Sequence, residues 1–312
     1  MTAVKANGIE IEYEDRGGRD SPVIVLIMGL GMQLIAWPDA LCEGLVARGF
    51  RVIRFDNRDA GLSTKMPPTG HFPITALVTL AFLRLPVRPS YTLNDMASDT
   101  LGLMDALGIA RAHVVGASMG GMIGQIIAAE HPERVSSLIS LLSTTGNRAL
   151  PGPKPKVLRA LIRRRRRGGP ARAVKEIMGF LRLIGSPGYP TSDAELRAKV
   201  ERSVARSYYP QGFGRQLLAI LTAPDRRPIL RRIRAPTLVL HGAEDPFVPP
   251  AGGADTAANI PGARLRIIPG MGHDLPGALV PFLAEAIAEH CLEADDSVGG
   301  GASARRAAGG SP

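Results

Sequence analysis

The chain has 312 residues, 45% of them hydrophobic, which suits one large α/β domain or a domain with an insertion; its formal net charge is +10. Its two cysteines, Cys42 and Cys291, lie far apart, so neither a disulfide framework nor a metal-ligand cluster is expected. Met1 to Gly8 carries no apolar leader, and the most membrane-like run, Ile74 to Leu83, falls far short of the roughly 20 residues of a spanning helix, so a soluble, cytoplasmic protein is expected.

In chain order, Ile9 to Glu14 alternates with period two and reads as a half-exposed edge strand turned by Arg16-Gly17-Gly18. Val23 to Ile27 is continuously apolar, as a strand covered on both faces should be, and a glycine-flanked loop, Met28-Gly29-Leu30-Gly31-Met32, follows it. Asp39 to Arg48 predicts a helix and Arg51 to Phe55 a strand. The apolar stretch Phe72 to Pro86 suits the wall of an acyl pocket, a lipid-facing lip, or the buried underside of a cap. Leu93 to Leu107 has helical spacing, and Ala112 to Val115 is a buried strand. Then come Gly116-Ala117-Ser118-Met119-Gly120-Gly121, a helix from Met122 to His131 halted by Pro132, and a strand from Val135 to Leu142. Two later strands, Thr237 to His241 and Arg264 to Ile268, precede a last helix from about Pro276 to Leu292. Such alternation means an α/β fold with a mostly parallel, doubly wound sheet.

Residues 145–231 break the rhythm. They contain no clear strand, and they hold 20 Lys and Arg against 5 Asp and Glu, so the rest of the chain is net acidic. The segment reads as a helical, arginine-rich cap inserted into a core made of residues 1–144 and 232–293, with a low-complexity, disordered tail over 294–312. The run Arg163 to Arg167 is a solvated face or a docking patch for anions. No aromatic residues interleave it, which disfavours nucleic acid, while peripheral membrane or lipid contact stays open.

The chemistry centres on Gly-x-Ser-x-Gly between a strand and a helix, a turn that presents a serine hydroxyl clear of the backbone. Gly116 and Gly120 fit there because only small residues do. A serine needs a base and the base an orienting carboxylate, expected in the order Ser, acid, His, each in a loop after a late strand. Asp245, in His241-Gly242-Ala243-Glu244-Asp245-Pro246, and His273, in Pro269-Gly270-Met271-Gly272-His273-Asp274, meet both conditions for Ser118. Chain order excludes His71 and His113, and His131 caps the helix. His241 reads as a buried structural histidine and His290 as exposed. The Asp-Pro turn favours Asp245 over Glu244, and Asp274 is too close in sequence to orient the histidine. Backbone amides of Leu30, supported by Gly29, and of Met119 are placed to hold an oxyanion.

Together these motifs resemble the α/β-hydrolase superfamily over nearly all of residues 1 to 293. Ala36-Trp37-Pro38-Asp39, Val52 to Ser63, His113 to Gly120 and Ile268 to His273 resemble a bacterial esterase group that includes aclacinomycin methylesterase. The resemblance implies a triad on Ser118, Asp245 and His273 and oxyanion amides on Leu30 and Met119. Met28-Gly29 stands where the family usually has His-Gly, and Asp59 replaces the first glycine of the family's Asp-x-Arg-Gly-x-Gly-x-Ser loop, read as structural. A serine at position 118 sets aside dehalogenases and epoxide hydrolases, whose nucleophile is aspartate. The expectation is a serine carboxylesterase acting on a small-molecule ester without metal or organic cofactor. Lactone or C–C bond hydrolysis, aminopeptidase action, perhydrolysis and a non-catalytic ligand-binding role stay open.

Overall fold

The computed structural model describes residues 2–67, 74–83, 85–163 and 169–308. Among them eight strands form one sheet: β1 (Thr2–Ala6), β2 (Ile9–Arg16), β3 (Val23–Ile27), β4 (Arg51–Phe55), β5 (Ala112–Ala117), β6 (Val135–Leu141), β7 (Thr237–Gly242) and β8 (Arg264–Ile268). The order across the sheet is β1-β2-β4-β3-β5-β6-β7-β8. The first two pairings are antiparallel and the remaining five parallel. The helices, in chain order, are α1 (Asp39–Val46), α2 (Ile74–Phe82), α3 (Leu93–Ala106), α4 (Met119–Glu130), α5 (Pro155–Arg163), α6 (Pro170–Ile184), α7 (Asp193–Arg206), α8 (Pro210–Thr222), α9 (Arg227–Leu230), α10 (Ala251–Asn259) and α11 (Val280–Ala308).

The apolar run of β3 is explained by two covered faces. Ile24 and Leu26 pack with Leu41 and Leu45 of α1 and Leu283 and Ile287 of α11. Val25 and Ile27 point the other way, into a cluster with Met96 and Leu103 of α3 and Ile123 and Ile127 of α4. Each of these side chains is fully buried and contributes about 1.5–3 kcal/mol. Because β3 lies between β4 and β5, the parallel connections run opposite ways from it. The carboxyl ends of β3 and β5 therefore mark the switch point at which open α/β sheets bind ligands in a crevice.

Three expectations are corrected. The strand at Ile9 is not the edge: β1 pairs outside it, through a turn in which Asn7 and Gly8 have φ of 48° and 76°. Asn-Gly between strands is a hairpin signal, and here it joins two residues that both take positive φ. The last helix does not stop near Leu292. Ala294 is buried, and His113 Nε2 lies 3.2 Å from Asp295 Oδ2, so the core holds α11 past that boundary and its backbone stays helical to Ala308. His290 is buried, not exposed, with Nε2 against the Pro236 carbonyl at 3.1 Å. Helices α5 to α8 lie between β6 and β7, and α6 and α7 share a small core of their own around Val174, Met178, Val200 and Val204. Of the arginine run, Arg164 to Arg167 lie outside the described residues, as do His71, Phe72 and Pro73. No described helix is long and apolar enough to cross a membrane.

Candidate active site

Ser118 sits between β5 and α4 with φ 54° and ψ −115°, a conformation that costs a non-glycine residue on the order of 1–3 kcal/mol. The surroundings leave no alternative. A Cβ on Gly116 would fall inside the Gly120 carbonyl, and one on Gly120 inside the Ile27 carbonyl, so both positions must be glycine for the turn to close. Ser118 N–H donates to the Leu141 carbonyl at 2.8 Å, and its own carbonyl accepts from Ser143 Oγ at 2.7 Å. The hydroxyl is thereby left to face the crevice.

The loops after β7 and β8 bring the other two candidates to it. His273 Nε2 lies 3.0 Å from Ser118 Oγ, and His273 Nδ1 lies 2.6 Å from Asp245 Oδ2. The other carboxylate oxygen of Asp245 accepts from the N–H groups of Phe247 and Val248, each at 2.8 Å, which fixes the Asp-Pro turn. Glu244 is exposed and turned away. Asp274 bonds Ser186 and not the imidazole. His241 is fully buried, donates through Nε2 to the Val248 carbonyl at 2.8 Å, and supports the same turn from beneath. The histidine loop is also tied to the end of α6: His273 N–H donates to the Ile184 carbonyl at 2.7 Å and Gly272 N–H to Ser186 Oγ at 2.9 Å. Phe247 stands edge-on to the His273 ring at 5.0 Å and to Phe180 of α6 at 5.7 Å, walling one side.

Burial pushes the Asp245 carboxyl up, but the nearby His273 charge and the hydrogen bonds from His241, His273 and Val248 N–H outweigh it and hold the group at about 2. The folded value lies below the unfolded one, near 4. The ionised carboxylate therefore stabilises the fold above about pH 4, and that contribution is lost as pH falls through about 2. Urea unfolding between pH 5 and 2 should show roughly 2 kcal/mol from this group vanish across that window. Asp245→Asn should flatten that part of the profile; an unchanged slope would contradict the assignment.

Gly29 packs against the elbow, so close that a Cβ there would lie 3.2 Å from Ser118 Cβ. Neither the amide of Leu30, next in the chain, nor that of Met119, next to Ser118, is engaged among the described hydrogen bonds. Negative charge is favoured there, because Met119 opens α4 and the helix N-terminus carries partial positive charge.

The loop from Asp56 to Ser63 carries no group that reaches Ser118, His273 or Asp245 in these hydrogen bonds; it fastens elements together. Asp56 accepts from Leu34 N–H at 2.7 Å, Leu62 N–H at 2.8 Å and Arg206 at 2.7 Å, and Arg58 pairs with Asp99. Asp59 takes both a bidentate Arg215 at 2.8 and 2.9 Å and the Tyr91 hydroxyl at 2.7 Å. Arg226 is buried between Gln125 Oε1 at 3.0 Å and the Thr144 carbonyl at 2.7 Å, and burial pulls its guanidinium down to about 10. Arg206 and Arg215 thus tie residues 145–231 to Asp56 and Asp59, and Arg226 ties them to Gln125 and Thr144, a role the sequence reading missed. Among the described residues no three of His, Cys, Asp and Glu are grouped so as to hold a metal.

With this geometry in place, comparisons with known proteins can be set beside it. The family model described as the alpha/beta hydrolase fold matches residues 22–276. Rhodomycin D methylesterase of Streptomyces sp. strain C5 is 30% identical over 295 residues, covering 87% of this chain and 91% of the relative. A 2-hydroxy-6-oxononadienedioate/2-hydroxy-6-oxononatrienedioate hydrolase of Burkholderia vietnamiensis is 27% identical, covering 85% of each. Among solved structures, a thermophilic esterase from Thermogutta terrifontis with malate bound superposes with a TM-score of 0.70 at 25% identity, over 94% of this chain and 99% of the other.

Proposed function

The chain belongs to the α/β-hydrolase fold family, and from that premise we propose that it is a serine carboxylesterase. The observation that carries the proposal is the unbroken hydrogen-bonded line from Ser118 Oγ through His273 to Asp245, at 3.0 and 2.6 Å, beside two unengaged amides. Ser118 attacks the ester carbonyl while His273 Nε2 takes its proton, and Asp245 holds the imidazole and balances its charge. The carbonyl oxygen, now anionic, is held by Leu30 and Met119 N–H. Collapse expels the alcohol, protonated by His273, and a water activated by the same imidazole releases the acid. Residues 145–231 act as a cap, with Phe180 and Phe247 narrowing the entrance above His273.

The methylesterase relative supports an ester with a small alcohol. A p-nitrophenyl ester series from acetyl to palmitoyl is expected to show turnover, with the chain length at its maximum reporting the size of the acyl pocket. Absence of turnover across the whole series would contradict the proposal. C–C bond hydrolysis is the second reading, favoured by the 27% identical relative. A vinylogous diketone cleaved while all esters are spared would select it.

A further inference from the structure

The turn that carries Leu30 N–H is held both from the core and from residues 145–231. Glycines flank Leu30 on both sides, and Gly31 has φ +68°, so the turn has little steric preference of its own. Its ends are pinned: Asn57 Nδ2 donates to the Met28 carbonyl at 2.9 Å, and Gln33 Nε2 donates to the Ser203 and Ser207 carbonyls of the insert at 2.7 and 2.9 Å. Its centre is pinned by one side chain. Gln216 of α8 is fully buried and uses both ends of its amide, Oε1 accepting from Gly31 N–H at 2.7 Å and Nε2 donating to the Arg58 carbonyl at 2.8 Å. The two partners dictate which way the amide faces, since an N–H must meet the oxygen and a carbonyl the nitrogen.

We propose that Gln216 is the positioning residue of the oxyanion hole, an inference that rests on the serine-esterase reading. The Leu30–Gly31 peptide is planar, so the hydrogen bond on Gly31 N–H fixes that plane, which adjoins through the Leu30 Cα the Gly29–Leu30 peptide that carries Leu30 N–H. With Gly29 wedged against Ser118 on the other side, the Gly29–Leu30 peptide is held between the elbow and the Gln216 contact, and in this proposal that places Leu30 N–H toward the developing charge. Released from Gln216, Gly31 N–H would lose the one partner that fixes its direction, and the exposed glycine would leave the plane free to turn toward water. The seat of α8 is thereby part of the transition-state geometry, and the insert does more than cover the site.

Gln216→Met keeps the volume and removes both hydrogen bonds, while Gln216→Glu keeps the acceptor for Gly31. The measurements are kcat and KM on p-nitrophenyl acetate, and Ki for an alkylboronic acid, whose adduct with the serine places a tetrahedral oxygen in the hole. Gln216→Met is expected to lower kcat about 10–100-fold, part of the loss seen when an oxyanion donor is deleted outright. KM should stay within about twofold, the boronate Ki should rise by the same factor as kcat falls, and Gln216→Glu should recover most of both. Should Gln216→Met fail to fold, Gln216→Asn, one methylene shorter, carries the same expectation. A folded Gln216→Met with wild-type kcat and Ki, and only a lowered Tm, would overturn the positioning role and leave the esterase reading intact. A wild-type protein with neither turnover nor boronate inhibition would overturn both.

Discussion

Ser118→Ala is expected to lower kcat by about 10⁶-fold on any ester the protein hydrolyses, the loss measured when a triad nucleophile is removed. The fold should survive, because the substitution removes one hydroxyl and its 3.0 Å contact with His273 and leaves the backbone contacts of the elbow in place. That lost contact is worth about 1 kcal/mol, and Asp245 still holds the imidazole. His273→Ala should cost a similar factor, since without the base the hydroxyl is a poor nucleophile at neutral pH. The double variant Ser118→Ala/His273→Ala should be no slower than either single one, because the groups act as a unit. Steady-state kinetics on p-nitrophenyl acetate, with circular dichroism to establish folding, would check this. A Ser118→Ala protein retaining a tenth of wild-type turnover would place the chemistry elsewhere.

The largest expected effect on stability lies away from the reacting atoms, at Arg215. Its guanidinium is bidentate to Asp59, and the two side chains are 5% and 0% exposed. Arg215→Met would leave a buried carboxylate with only the Tyr91 hydroxyl and Met66 N–H as hydrogen-bond partners among the described residues. Stranding one partner of such a pair costs about 3–5 kcal/mol, which urea unfolding would read directly. Asp59 has φ +68°, the left-handed region that glycine prefers and aspartate tolerates. The glycine of the family pattern therefore fits this backbone, and Asp59→Gly/Arg215→Met should recover most of the loss. If Arg215→Met alone unfolds within 1 kcal/mol of wild type, the ion pair does not fasten the insert to the core.

The parts of the site that were legible in the sequence are those set by local rules. A strand, a glycine-lined turn and a helix announce Ser118, and short loops after the strands ending at Gly242 and Ile268 carry Asp245 and His273 to the same crevice. The parallel sheet followed from apolar runs such as Val23 to Ile27, whose two faces are both covered. The edge strand Thr2–Ala6 was missed because its burial is slight, although Asn7-Gly8 marks the hairpin that forms it. The sequence singled out only the run Arg163 to Arg167 among the insert's arginines, whereas buried Arg215 and Arg226 and half-buried Arg206 bond groups 82 to 156 positions away in sequence. Gln216 gave no signal at all: its two partners, Gly31 and Arg58, contribute backbone atoms, which residue identity does not reveal. The extended last helix was hidden by a glycine-rich composition that disfavours helix, and its first turns past Leu292 are held by Ala294 in the core and Asp295 at His113.

The central claim, that Ser118 is an activated nucleophile, is tested most directly by treating the folded protein with a fluorophosphonate and mapping the modified peptide by mass spectrometry. One adduct on Ser118, formed rapidly in the wild-type protein and absent from Ser118→Ala and slow in His273→Ala, is the predicted result. An unmodified Ser118 in protein shown to be folded, or an adduct on another residue, would contradict the account.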